Sequence, residues 1–99
     1  MAQLEPRYKC EYVAGAGADN VIKASAGYLH AIIIGKYVSG GVIEVSDHAS
    51  DGDGNIKVYL EATASDTGFP KTILVDAQFD TGITADLTGS QTNVTFVYR

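Results

Sequence analysis

Apolar and polar residues alternate with a period of two through most of the second half of the chain. Ile56, Val58 and Leu60 alternate with Lys57, Tyr59 and Glu61. Ile73, Val75, Ala77 and Phe79 alternate with Leu74, Asp76 and Gln78, and Ile83, Ala85 and Leu87 with Thr84, Asp86 and Thr88. Val94, Phe96 and Tyr98 close the series, opposed by Asn93, Thr95, Val97 and Arg99. Successive side chains of a strand point to opposite faces, so each run predicts a half-buried strand. Between the runs lie turn-forming residues: Asp47 to Asn55 with two Asp-Gly steps, Thr63 to Lys71 with Pro70, Asp80-Thr81-Gly82, and Gly89-Ser90-Gln91. Such clusters supply the positive φ and side-chain turns that reversals need.

The first half is less regular. Residues 1–7 contain Pro6, show no period and read as an extended arm. Tyr8, Cys10 and Tyr12 alternate with Lys9 and Glu11, a short strand. Ala14 to Asn20 reads as a loop by composition, with a brief strand over Val21 to Ala24. Two apolar runs follow, Tyr28 to Ile34 and Val42 to Val45, and they read as antiparallel strands joined through Gly40-Gly41. The β-branched triplet Ile32-Ile33-Ile34 favours a strand over a helix. Apart from His30, both faces of the first run are apolar. A two-sheet sandwich covers only one face, so the other calls for the N-terminal arm or a neighbouring subunit.

Seven or eight short strands at about ten-residue spacing, without helical periodicity, predict an all-β fold. The expected architecture is a single-domain antiparallel β-sandwich, jelly-roll-like or another Greek key. Residues 1–20 form the arm with its short strand and loop, and residues 21–99 the sandwich. The length of 99 residues leaves room for one core, small enough to gain stability from oligomerisation.

Charge narrows the function. The formal net charge is −5, and the seven basic residues form no stripe that could neutralise phosphates, so nucleic acid is not an expected partner. No segment approaches the length of an apolar membrane helix, and the first residues lack the apolar centre of a signal peptide. With Cys10 as the single cysteine, an internal disulfide is impossible. These features together predict a soluble protein made in the cytoplasm, and the Asn93-Val94-Thr95 acceptor sequence then has no role.

Candidate chemistry is sparse. Asp51, Asp53 and Asn55 take alternate positions, as do the first oxygen ligands of a calcium loop, but Ile56 and Ala62 stand where that loop needs Gly and Glu. The segment reads as a solvated turn, and no metal or other cofactor is expected. His48 beside Asp47 suggests an acid–base pair, yet no nucleophile is marked to accompany it. His30 reads as a hydrogen-bonded core or interface residue. The glycine-rich stretch at 14–19 lacks the ending and the helix of a phosphate loop. No catalytic residue is assigned and an enzyme is not expected. Tyr8, Tyr12, Tyr28, Tyr37 and Tyr59 fall at strand ends or on outward faces, where an amphipathic ring suits an interface.

One set of motifs resembles a known family. Gly27-Tyr28-Leu29-His30 opens a strand and Val45-Ser46-Asp47 ends another. Phe79-Asp80-Thr81-Gly82-Ile83, Gly89 and Val94-Thr95-Phe96-Val97-Tyr98-Arg99 follow in order. Over residues 21–99 this resembles a family of small tailed-bacteriophage virion proteins. The resemblance implies a β-sandwich that decorates or cements the outer capsid surface, often as a trimer, binds the major capsid protein and does no chemistry. Related domains in tails and fibres imply an alternative, a carbohydrate- or receptor-binding module. On the capsid reading, residues 2–13 contact the capsid or a sister subunit through Leu4, Tyr8 and Tyr12.

Overall fold

The computed structural model describes residues 8–14, 17–36, 40–51, 54–62, 71–89 and 93–99. Leu4, Tyr37, Asp53 and Pro70 lie outside these, as do the rest of residues 1–7 and of 63–70. Eight strands follow in order: β1 (Lys9–Ala14), β2 (Gly17–Lys23), β3 (Gly27–Lys36), β4 (Val42–Ser46), β5 (Ile56–Glu61), β6 (Lys71–Phe79), β7 (Ile83–Thr88) and β8 (Asn93–Tyr98). They form two four-stranded antiparallel sheets. Sheet A has the order β1-β8-β3-β6 and sheet B the order β2-β7-β4-β5. The pairs β1/β8, β2/β7, β3/β6 and β4/β5 are nested and fall alternately in the two sheets. That is a long hairpin rolled upon itself, the jelly-roll form of the β-sandwich expected from the alternation.

The alternating runs set the core. Ile73, Val75, Ala77 and Phe79 of β6, Val94, Phe96 and Tyr98 of β8, and Leu29, Ile32 and Ile34 of β3 face Ile43 and Val45 of β4, Ile83, Ala85 and Leu87 of β7, and Val58 and Leu60 of β5. Phe79 and Phe96 are the largest fully buried side chains, in a chain without tryptophan. Removing such side chains from water is the main favourable term in folding.

Two local expectations fail. Within the stretch 14–20, expected to be a loop, Ala14 ends β1 and Gly17 begins β2, well ahead of the expected start at Val21. The β2 register against β7 shifts twice, and Asp19 has a φ of 56°. Asn20 Nδ2 repairs the ladder by donating to the carbonyls of Gly17 (2.9 Å) and Ala85 (3.1 Å). A side chain does work there that periodicity does not report. Nor are β3 and β4 a pair: they lie in opposite sheets. Gly40, with a φ of 79°, belongs to the crossing between sheets, and its N–H donates to the carbonyl of Ala62 at 3.1 Å.

One end of the sandwich is fastened by a buried carboxylate. Asp47 ends β4 and reaches the turn between β6 and β7. It accepts hydrogen bonds from the backbone N–H groups of Asp80 (3.0 Å), Thr81 (2.7 Å) and Gly82 (3.3 Å). Thr84, fully buried, donates through Oγ1 to the carbonyl of His48 at 2.7 Å. A Cβ on Gly82 would stand 2.7 Å from the His48 oxygen, 2.8 Å from Ala49 Cα and 2.9 Å from the Lys23 oxygen, so the close approach requires glycine. Burial alone would raise the Asp47 pKa, but three N–H donors, with the charge of Lys57, outweigh it and hold the group below its ordinary value.

Asp47→Ala is expected to cost about 2–4 kcal/mol in denaturant unfolding, since it orphans amides in a buried turn. Asp47→Asn, which keeps an acceptor, costs less. The carboxylate's contribution is complete above the ordinary value of 3.8 and is lost as pH falls through the lower value in the fold. Acid unfolding below a pH of about 4 is therefore expected to flatten in Asp47→Asn. Equal acid sensitivity of variant and parent would count against the latch.

Candidate functional site

The Asp/His loop does not form an acid–base pair. With Asp47 turned to the 80–82 amides, His48 Nδ1 accepts from the backbone N–H of Ser50 (3.1 Å) and of Asp51 (2.9 Å). That bonding assigns the ring proton to Nε2 and makes the imidazole a cap for its own turn. No group of three or more His, Cys, Asp or Glu side chains among the described residues could hold a metal ion.

The two outer surfaces of the sandwich differ sharply in charge. On sheet B, Glu44 lies between Tyr59 and Asp86, and Glu61 is paired with Val42. Tyr59 donates to Glu61 Oε1 at 3.3 Å, and that negative charge, chiefly, raises the phenol's pKa. On sheet A two rows cross all four strands. Cys10, Val97, Ala31 and Leu74 are partners in the first row. Tyr12, Thr95, Ile33 and Thr72 are partners in the second. Neither row carries a charge. Leu74 is 67% exposed, Tyr12 60% and Ile33 39%, three large apolar side chains on one face, with threonines and the buried Ala31 between them.

At one end of sheet A the two rows meet a polar cluster. β6 has one residue more than β3 between the pairs Leu29–Ala77 and Ala31–Leu74, and there Asp76 adopts a φ of 48°. A non-glycine residue at positive φ is strained. The bulge turns the Asp76 carboxylate toward β3, where His30 Nδ1–H donates to it at 2.6 Å and the Tyr28 hydroxyl at 3.2 Å. Tyr8 stacks on His30, with ring centroids 4.4 Å apart. The Arg99 guanidinium lies 5.5 Å from the Tyr8 ring and 5.2 Å from the Tyr28 ring, within cation–π range. Beside them Lys23, Ala26, Gly27, Tyr28, Gln78 and Arg99 line an open depression of about 380 Å³.

Of the interface residues read from sequence, Tyr8 falls in this cluster and Tyr12 in the uncharged rows, while Leu4 lies outside the described residues. His30, expected in the core or an interface, is on the outer face with a carboxylate partner. Sequence reasoning gave no functional part to Leu74 or Asp76, and Ile33 and Arg99 entered it only within a strand triplet and a motif. For Leu74 the signal was available: it is the apolar residue on the polar phase of its strand. For Asp76 there was none, because the alternation of β6 runs unbroken through the bulge.

The His30 hydrogen bond is the main cause that holds the Asp76 carboxyl below its ordinary value, with the Tyr28 hydroxyl adding to it. His30→Ala is therefore expected to move the Asp76 titration, followed by carbon-detected NMR, up toward the ordinary value. An unmoved Asp76 would mean that the pair does not form in solution.

No protein-family model matches the chain, and no match to it is found among curated proteins or solved structures.

Proposed function

We propose that this protein is a non-enzymatic structural component of a bacteriophage virion that decorates or cements the outer capsid surface. The observation that carries the reading is the contrast between the two outer surfaces. The uncharged rows of sheet A suit a docking face, and the acidic surface of sheet B suits exposure to water. The sequence resemblance supplies the kind of partner: the major capsid protein, with three copies bound together. Many identical weak contacts then add through symmetry and avidity. Asp47 and the 80–82 turn, two of the motifs that carry the resemblance, touch one another and fasten the sandwich, a structural role.

A second reading, a carbohydrate- or receptor-binding module of a tail or fibre, draws on the depression beside Tyr28, Gln78 and Arg99. Exposed tyrosines with polar neighbours suit sugars, and a glycan array separates the two readings.

The test of decoration is occupancy. Leu74→Glu places a charge at an exposed position and is expected to change folding stability by less than about 0.5 kcal/mol. It is expected to lower occupancy on purified heads at least about tenfold, whereas Thr88→Glu on the acidic side leaves it unchanged. Equal occupancy for both variants and the parent would remove sheet A as the docking face.

A further inference from the structure

We propose that in free solution the two uncharged rows of sheet A pack against the same rows of a second copy. The pair is related by a two-fold axis that runs along the strands between β8 and β3. This goes beyond the decoration reading and stands without it, because it concerns the protein before it meets any particle.

Size is the first argument. Cys10, Val97, Ala31 and Leu74 run small, large, small, large across the sheet, and Tyr12, Thr95, Ile33 and Thr72 run large, small, large, small. The surface is a checkerboard. Rotation about the proposed axis exchanges β1 with β6 and β8 with β3. Cys10 then meets Leu74 of the second copy, Val97 meets Ala31, Tyr12 meets Thr72 and Ile33 meets Thr95. Cys10, Thr72 and Thr95 leave room for Leu74, Tyr12 and Ile33 of the other copy, and Val97 lies over the buried Ala31, the interdigitation found where sheets stack face to face about 10 Å apart. An isologous contact requires this self-complementarity, since each pair occurs twice.

Charge is the second. Two copies that each carry −5 repel, so a second copy must be met where neither presents a like charge. Pairing through sheet B would set Glu44, Glu61 and Asp86 against their own copies, whereas the sheet A rows contain no ionisable carboxylate or ammonium group. The neighbouring polar cluster also fits the axis. Arg99 pairs with Tyr28 across the β8/β3 seam, so the rotation lays the guanidinium of one copy over the Tyr28 region of the other rather than over its own kind.

The decisive experiment places a thiol opposite Cys10. Within one chain Leu74 and Cys10 lie three strand spacings apart, about 14 Å, too far for an internal bridge. Across the two-fold they face each other. Leu74→Cys with a short bis-maleimide, which spans the gap between facing sheets, is expected to give a covalent dimer that joins position 74 to Cys10 by peptide mapping. Thr88→Cys, on the other face, is expected to give none. Light scattering of the unmodified protein is expected to show twice the monomer mass, falling on dilution. A steric swap checks the axis: Thr72→Tyr alone is expected to weaken the dimer at least about tenfold, and adding Tyr12→Thr to restore it. A monomeric parent protein overturns the proposal, as does equal cross-linking from positions 74 and 88 or a swap that fails to restore. Capsid occupancy is measured separately, so loss of pairing and loss of docking are told apart.

Discussion

Everything at one end of this sandwich depends on how the Asp47 carboxylate is satisfied. It leaves β4 in sheet B and takes three backbone N–H groups from the turn that carries the chain from β6 in sheet A to β7 in sheet B. A buried carboxylate without those donors would be costly to hold, and the amides without the carboxylate would be orphaned. Each solves the other's problem. The turn can come close enough only because Gly82 has no Cβ, and Thr84 secures the next residue of the 47–51 loop from below. The two sheets are thus joined by polar chemistry at their rim as well as by Phe79 and Phe96 between them.

That arrangement leaves the sheets with unequal outer surfaces. Sheet B places Glu44 directly opposite Asp86, a like-charge pair tolerable only where water screens it. Sheet A sets threonines among Val97, Ile33 and Leu74 and keeps Asp76, His30 and Arg99 together at one end. The strained backbone at Asp76 belongs to the same division. It aims one carboxylate at a histidine instead of leaving it among the uncharged rows.

Alternation made β5 to β8 readable, because Phe79, Val94 and Phe96 keep a strict inward phase over a water-facing neighbour. The β2 strand escaped it. Its pairing depends on the Asn20 amide standing in for backbone groups, and an asparagine in a small-residue stretch looks like a turn. The separation of β3 from β4 was equally hidden: Gly40-Gly41 serves a hairpin and an inter-sheet crossing alike, and only the partner strands distinguish them. His48 and Asp47, adjacent in sequence, part company because each is bound by a different set of main-chain amides. The two-sided apolar character of β3 was legible, and it identified the face on which Ile33 now stands exposed.

The nested order of pairing governs how the fold can be reached. Only β4 and β5 are neighbours both in sequence and in a ladder among the described strands. Every other pairing closes a longer loop, and β3 stays bare along one edge until β8, the last strand, lies beside it. On a ribosome, Ile32 and Ile34 therefore emerge long before Val94 and Phe96 can cover them. The nesting runs from the β4/β5 pair outward to the seam where Tyr8 and Arg99 come together, and β1, the first strand made, has no ladder partner until β8, the last.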